Sequence, residues 1–574
     1  MSAPLPENIE DAYPLSPLQG GMLFHSVSSP DSGVYVEQIT LTIEQPDFAP
    51  DVFMKCWEIL IDRHAAFRTA FVWKDLDAPL QVVRKKVTLP WQEVDLRHVD
   101  GGDPVAALAR LKQQDRDSGF SLNKAPLMRM ILARTGDQKY SWIWTRHHLI
   151  ADGWSTNHVL RELRQLYRGE MTGEPAALHE APKYRNYIAW LKQRDEQRDR
   201  EFWQHYLAGF RHQTVLGIEK SRTATHRLGR FDESSTRLSF EETGALESLC
   251  KSLRITPSVM VQAVWSMLLS RYSGSNDVVW GTTVSGRPAS LVGVQASVGL
   301  FINTLPLRSR IDWDQQVSGF LQDMQNNQLS VLEFENSDLT RIAHWSECPA
   351  GEPLFQSVVV FENYPVDPAE STSSQGPANL AIADIEYKEQ SDLPLALIAL
   401  PGHQLKLILI YDASMFERGQ IDRILAQLKC MLSNVQAHVE SPLRELPFLP
   451  PEEISTLFNR LNDTDRPIDV SRHVDELILQ QAKDRPGDTA LVCGDNRLTY
   501  GELAYRSRML AIYLASNRIG RGDILGIGLP RDVDALVWLL AVLRSGAAYL
   551  MLDPEYPASR LGEMVSQAGA SLIV

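Results

Sequence analysis

A break in pattern at Ser441 sets two separate folding problems for this sequence. From Ser441 to Arg472 it reads SPLRELPFLPPEEISTLFNRLNDTDRPIDVSR. Its prolines, a short amphipathic stretch from Glu452 to Leu461 and the polar run LNDTDRP mark a linker rather than a packed element. One folded body is expected before it and a different one after it. Ahead of the break, strand-like runs (Val34 to Ile43, Ser141 to Thr145, Val278 to Val284, Phe355 to Phe361, Leu405 to Tyr411) alternate with helix-like ones. Val52 to Ile61 places Val52, Phe53, Cys56, Trp57, Leu60 and Ile61 on one helical face, and Thr156 to Tyr167 does the same with Val159, Leu160, Leu163 and Leu166. An α/β body is expected. A milder break between Thr172 and Pro182, rich in Pro, Gly and Ala, suggests a crossing between two lobes.

Composition narrows the function classes. The 574 residues carry a formal net charge of −15, with no Lys/Arg run interleaved with aromatics, so nucleic acid is not an expected partner. Five widely spaced cysteines fit neither a disulfide framework nor a zinc knuckle, which points to a reducing cytoplasm. The longest apolar segments, such as Ala535 to Leu543, are about half a membrane span, and the N-terminus lacks a basic start followed by an apolar stretch. Neither membrane insertion nor secretion is expected.

The densest cluster of chemically useful residues is Arg146 to Ser155, RHHLIADGWS. It lies between the alternating strand Ser141 to Thr145 and an amphipathic helix that Ser155 is expected to cap. A strand-to-helix loop holds a ring nitrogen in place while the flanking elements supply rigidity. Two adjacent histidines followed four residues later by Asp-Gly arise by chance on the order of once in a thousand sequences of this length. Adjacent histidines point in different directions and the nearest further ligands have no regular metal spacing, so a metal site is the weaker reading.

This segment resembles the HHxxxDG signature of nonribosomal peptide synthetase condensation domains, members of the chloramphenicol-acetyltransferase-like acyltransferases. Other segments agree in order. Tyr13 to His25 (YPLSPLQGGMLFH) is similar to the family's first motif, and Arg63 to Phe71 (RHAAFRTAF) to RHxxLRTxF with Phe67 for Leu. Tyr184 to Trp190 (YRNYIAW) resembles YxDYxxW with Asn186 for Asp, and Val298 to Arg308 (VGLFINTLPLR) resembles VGxFVNTxxxR. Leu332 to Leu339 departs from the family pattern, whereas Pro353 to Pro365 matches one large subgroup. Heterocyclisation relatives carry DxxxxD in place of HHxxxDG, and epimerisation relatives follow an adenylation and carrier module, so condensation is preferred.

The resemblance implies two similar lobes in a V, residues 1–178 and 179–445, with the His motif at their junction. It also implies no metal, and phosphopantetheine arms supplied by two partner carrier proteins, an upstream donor and a downstream acceptor. The acceptor amine attacks the donor thioester. His148 is implied to touch that amine, as general base or as an acceptor that orients it; an amine of pKa roughly 8 is already partly unprotonated, which favours orientation with proton uptake. His147 is implied to shape the loop, and Asp152 to pair with Arg63, by preference over Arg68, as loop support. Gly153 is implied to permit a conformation or close approach that a Cβ obstructs, and Trp154 is read as core.

After a linker at 446–472, Leu498 to Leu503 (LTYGEL) and Leu543 to Pro557 (LRSGAAYLMLDPEYP) resemble the first two adenylation-domain core motifs, with Met551 where Pro is usual. Residues 473–574 are therefore expected to be a truncated adenylation segment, inactive alone and partnered by the rest of that domain. Two rival readings are a freestanding acyltransferase, which the tail disfavours, and a silent carrier-binding platform, which the complete motif disfavours.

Overall fold

The computed structural model describes residues 6–30, 33–98, 103–220, 231–349, 351–362, 380, 382–388 and 393–574. Two compact units emerge, Met1–Thr456 and Leu457–Val574, divided inside the proline-rich stretch.

The first unit is mixed α/β. Its N-terminal part runs β1 (Ile9–Pro14), α1 (Pro17–Ser28), β2 (Val36–Glu44), α2 (Pro50–Arg63), β3 (Thr69–Val72), β4 (Leu80–Arg84) and β5 (Trp91–Asp95). It continues through α3 (Pro104–Asp117), β6 (Met128–Arg134), β7 (Lys139–His147) and α4 (Gly153–Thr172). The chain then passes through α5 (Tyr184–Leu191) to β8 (Phe231–Arg237), β9 (Asp277–Val284), β10 (Asn303–Arg310), β11 (Ser357–Phe361), β12 (Ile382–Lys388), β13 (Leu395–Leu400) and β14 (Lys406–Asp412). A five-stranded sheet is ordered β12-β2-β7-β6-β5, a six-stranded sheet β10-β9-β11-β13-β14-β8, and a small sheet β1-β4-β3. Strand β12 thus belongs by hydrogen bonding to the first large sheet although it follows most of the second in sequence. The segment Pro353 to Pro365 supplies β11; its last three residues lie outside the described residues.

Alternation in β7 places Trp142 and Trp144 on one face, where both rings pack on Trp57 of α2 at 5.2 and 4.9 Å between centroids. Phe67, standing where the family motif has Leu, meets Trp144 edge-on. The six-stranded sheet has its own core, around Trp203, Trp265 and Trp280.

Residues 297–301 join the first core to a smaller cluster, because Val298 and Leu300 pack into the cluster of the first sheet while Phe301 packs with Tyr184 and Tyr187 of α5. Two glycines permit this approach. A Cβ on Gly299 would collide with the Tyr184 ring, and one on Gly286, at φ +59, would collide with the Phe301 carbonyl. The RHxxLR segment is spent on the first part of the unit. Arg68 binds Glu10 and the Ile61 carbonyl, while Arg63 and His64 clasp Glu162 of α4.

In the second unit the LTYGEL segment ends a hairpin strand and starts the helix Tyr500–Ser516, with Thr499 and Glu502 capping reciprocally. Strands Ile524–Ile527 and Ala548–Met551 pair in parallel around the helix Val533–Ser545, which ends at left-handed Gly546. No helix among the described residues is long and apolar enough to cross a membrane.

Gly286→Ala is expected to lower stability by more than about 1 kcal/mol, since both its φ and its space reject a side chain. Gly244→Ala, in the exposed middle of helix Phe240–Leu253 with open space around its Cβ, should instead gain about 0.5–1 kcal/mol. Denaturant unfolding of the two variants checks the contrast.

Candidate active site

Strand β7 delivers the motif. His147 is its last residue, paired with Val36 of β2, and His148–Ile150 form a single tight turn before Asp152 caps α4. The expectation that Ser155 caps this helix is corrected: the Asp152 carboxylate accepts the Ser155 N–H at 2.7 Å, so the helix begins three residues earlier, at Gly153. Gly153 is therefore a first-turn helical residue outside the left-handed region, and no unusual backbone conformation requires a glycine there. Trp154 is half-buried rather than core, with its indole N–H donating to the Gln295 carbonyl at 3.0 Å.

The two histidines have different surroundings. His147 is 3% exposed; its Nδ1 accepts the Leu149 N–H at 3.2 Å, which leaves the proton on Nε2, 3.2 Å from Ser26 Oγ of α1. Burial, with the neighbouring His148 charge second, pushes its pKa down to about 3, so it is neutral at physiological pH. The His148 side chain is 15% exposed. Its backbone N–H donates to the Tyr35 carbonyl at 2.8 Å, and its Nδ1 lies 2.8 Å from the Ala151 carbonyl and 3.2 Å from Glu37 Oε1. Both neighbours of Nδ1 are acceptors, so Nδ1 carries a proton, and in the neutral ring Nε2 is the nitrogen left to accept. Gln19 of α1, inside the first motif, donates to the Leu149 carbonyl at 3.1 Å and so ties that motif to the loop.

Asp152 is fully buried, and its partner is Arg287. The pairing with Arg63 or Arg68 is corrected. Arg63 donates to Glu162 at 3.0 Å, and Arg68 is engaged by Glu10 and backbone carbonyls, which leaves neither for Asp152. Arg287 approaches the carboxylate at 3.1 Å, donates to the Val294 and Ser297 carbonyls at 2.6 and 2.9 Å, and lies 4.0 Å over the Phe301 ring. The Phe301 N–H also donates to Asp152, at 2.9 Å. Burial alone would raise the Asp152 pKa, but the Arg287 charge and the Ser155 and Phe301 amides hold it below the ordinary carboxylate range. Ser155 Oγ donates to the Gly299 carbonyl at 2.8 Å, adding a further tie to the same segment.

Arg287 and Glu37 are the residues that sequence reasoning missed. Arg287 stands in VSGRP directly after β9, on a glycine turn, where only distance in sequence from the motif hid it. Glu37 had a legible signal: it shares the inward phase of β2 with Ile39, Leu41 and Ile43, a position where a carboxylate needs a partner.

A cavity of about 1290 Å³ adjoins the loop at His147. Val36, Phe120 and Met128 line it from one side, and Phe231 and Ile410 of the six-stranded sheet from the other.

Comparison with known proteins places these features. The condensation-domain family model matches residues 9–458, and the AMP-binding enzyme family model matches residues 478–574. One of the linear gramicidin synthase proteins of Brevibacillus parabrevis is 35% identical over 568 residues, 99% of this chain and 7% of that protein. Surfactin synthase subunit 3 of Bacillus subtilis (strain 168) is 31% identical over 574 residues, 99% of this chain and 44% of that protein. The chain thus spans less than half the length of either relative. Among solved structures, holo-AB3403, a four-domain nonribosomal peptide synthetase bound to AMP and glycine, shares the fold, with a TM-score of 0.67 at 22% identity over 100% of this chain and 44% of that one. With the family model matched across most of its length, this chain belongs to the condensation-domain family of the nonribosomal peptide synthetases.

Proposed function

We propose that the chain forms amide bonds between an acceptor aminoacyl group and a donor acyl or peptidyl thioester, both tethered to carrier proteins. The observation that carries this reading is His148. Its Nδ1 proton is held by the loop, its Nε2 has no partner among the described residues, and its side chain is partly exposed where that of His147 is sealed.

The acceptor amine attacks the donor carbonyl carbon, forming the C–N bond and an adduct with an ammonium nitrogen and an oxyanion. Nε2 of His148 orients the amine during attack and takes its proton from the adduct, where the nitrogen has become strongly acidic. As the C–S bond breaks, the departing sulfur takes the electron pair and that proton, leaving the amide on the acceptor and a free thiol on the donor. Phosphopantetheine arms of the donor and acceptor carriers supply the thioesters, and the cavity beside His147, with both apolar and polar lining, suits one such slender arm. Asp152 and Arg287 keep the loop in shape without sharing protons with substrate, His147 packs behind it, and Gly153 leaves room at the helix start for a close substrate approach. No metal enters this scheme. An AMP-binding segment in the same polypeptide fits an enzyme that receives its acceptor from an adjoining module.

A single-turnover assay with aminoacyl groups loaded on both carriers tests this, with the dipeptidyl thioester scored by mass spectrometry. His148→Ala should reduce product formation by roughly 10²–10⁴-fold with folding intact. Wild type that binds both carriers yet makes no peptide from a broad substrate panel would leave the silent-platform reading in its place.

Arg287→Met should cost about 3–5 kcal/mol, because it strands the Asp152 carboxylate in the interior. Asp152→Asn/Arg287→Met, which removes both charges, should recover much of that loss; urea unfolding of the single and double variants measures it.

The His147 environment also predicts a pH dependence. The native imidazole titrates near 3 and the unfolded one near 6.5, so between those values the unfolded state binds the extra proton. This contribution to stability is full above about pH 6.5 and is lost as pH falls, with a slope approaching about 1.4 kcal/mol per pH unit. Urea unfolding from pH 7 to 4.5 should show a shallower slope in His147→Asn than in wild type.

A further inference from the structure

Glu37 occupies a position where stability alone would favour an apolar side chain. It continues the inward row of β2, and across the ladder it faces Arg146, which continues the inward row of Trp142 and Trp144 on β7. Arg146 Nε and Nη2 lie 2.8 and 2.7 Å from Glu37 Oε2, and the guanidinium covers the Trp144 ring at 4.4 Å. The pair is buried, with side chains 3% and 9% exposed, and Arg146 Nη1 has no partner among the described residues. A buried ion pair with an unmet donor costs desolvation that a hydrophobic pair of similar volume would avoid. Its placement is informative: while Oε2 is occupied by Arg146, Oε1 faces Nδ1 of His148 at 3.2 Å. Two residues earlier, Tyr35 is held at φ +67, an uncommon conformation for a residue with a side chain, and its carbonyl receives the His148 N–H. The entrance of β2 therefore grips both the backbone and the ring of His148.

We propose that Glu37 is a positioning residue for His148, with Arg146 as its clamp; this rests on the condensation reading above. The Nδ1 proton is donated to the Ala151 carbonyl, and Glu37 Oε1, 3.2 Å from the same nitrogen, holds that face of the ring by charge and prevents it from turning. Its negative charge also stabilises the imidazolium that forms when Nε2 takes the proton of the adduct. The Nδ1 proton stays in place throughout, and only the Nε2 proton travels from the ammonium nitrogen to the departing sulfur. Arg146 balances the carboxylate from the far side, so a carboxylate is retained in the interior beside the imidazole.

The test uses the whole chain labelled with ¹⁵N-histidine, with the His148 ring signals assigned by their absence in His148→Ala. In Glu37→Gln the Nδ1 proton resonance should move upfield. The single-turnover rate at saturating acceptor should fall by at least about tenfold, while the half-saturating acceptor concentration stays within about twofold. Glu37→Gln leaves Arg146 unpaired and loses stability, so the double variant Glu37→Gln/Arg146→Met, with no stranded charge, is made beside it. It should regain thermal stability and remain slow. An unmoved Nδ1 proton, or wild-type turnover in the double variant, would overturn the proposal. The proton readout does not depend on peptide formation, so a wild-type chain that makes no peptide tells against the condensation reading while the contact between Glu37 and His148 is still decided.

Discussion

The ion pair between Asp152 and Arg287 is the constraint on which the site depends. Its two members are separated by 135 residues in sequence, one at the start of α4 and the other just after β9. A buried carboxylate and a buried guanidinium are each tolerated when the other is present and most of the remaining polar atoms are met; here Arg287 Nε alone of the pair's atoms has no partner among the described residues. The Asp152 oxygens are met by the Ser155 and Phe301 amides, and one Arg287 nitrogen by the Val294 and Ser297 carbonyls. Arg287 is locked into backbone of its own segment while Asp152 is held both by its own helix start and by Phe301 of that segment, so the His loop is fixed relative to the chain that follows β9. A carboxylate held in this way is ionised and poor in protons, which makes Asp152 a determinant of shape and a weak candidate for proton transfer.

Close backbone approach carries the same constraint outward. Gly286 and Gly299 bring their segment so near Phe301 and Tyr184 that a methyl group would not fit. The Tyr184 hydroxyl donates to the Leu300 carbonyl, and the Ser155 hydroxyl both donates to the Gly299 carbonyl and accepts its N–H. The VGLFINT motif is therefore a strap on the outside of the loop, while Gln19 and Ser26 of α1 hold the inside through Leu149 and His147. Motifs far apart in sequence converge on one turn of six residues, through its backbone at Leu149 and Asp152 and through the side chains of His147 and Asp152.

This explains which parts were legible in the sequence. The alternation Ser141 to Thr145 and the stripe Val159, Leu160, Leu163, Leu166 identify β7 and α4, because periodicity follows directly from burial on one face. Adjacent histidines are expected only to point in different directions; that His147 is the more buried of the two is set by the packing of β2 and α1 around it. The Asp152 partner was not legible either. Arg63 and Arg68 are arginines in a motif, but charge complementarity in a sequence does not tell which carboxylate lies nearby, and Glu162 on the next helix claims Arg63 first. Arg287 carries no periodic signal because it sits on a glycine turn whose direction is set by packing of Gly286 on Phe301. The crossing of β12 into the first sheet was equally hidden, since an alternating strand does not encode which sheet it will join.

The adjacent histidines show how burial divides labour between chemically identical groups. His147 is buried among β2, α1 and the turn, with little of its ring exposed, so adding a proton there would place a poorly solvated charge and the ring stays a neutral hydrogen-bonding group. His148, one residue on, turns its Nε2 away from the backbone that holds Nδ1. A single turn thereby holds one imidazole neutral by burial and leaves the other partly exposed. The difference between the two rings depends on the turn staying closed around His147.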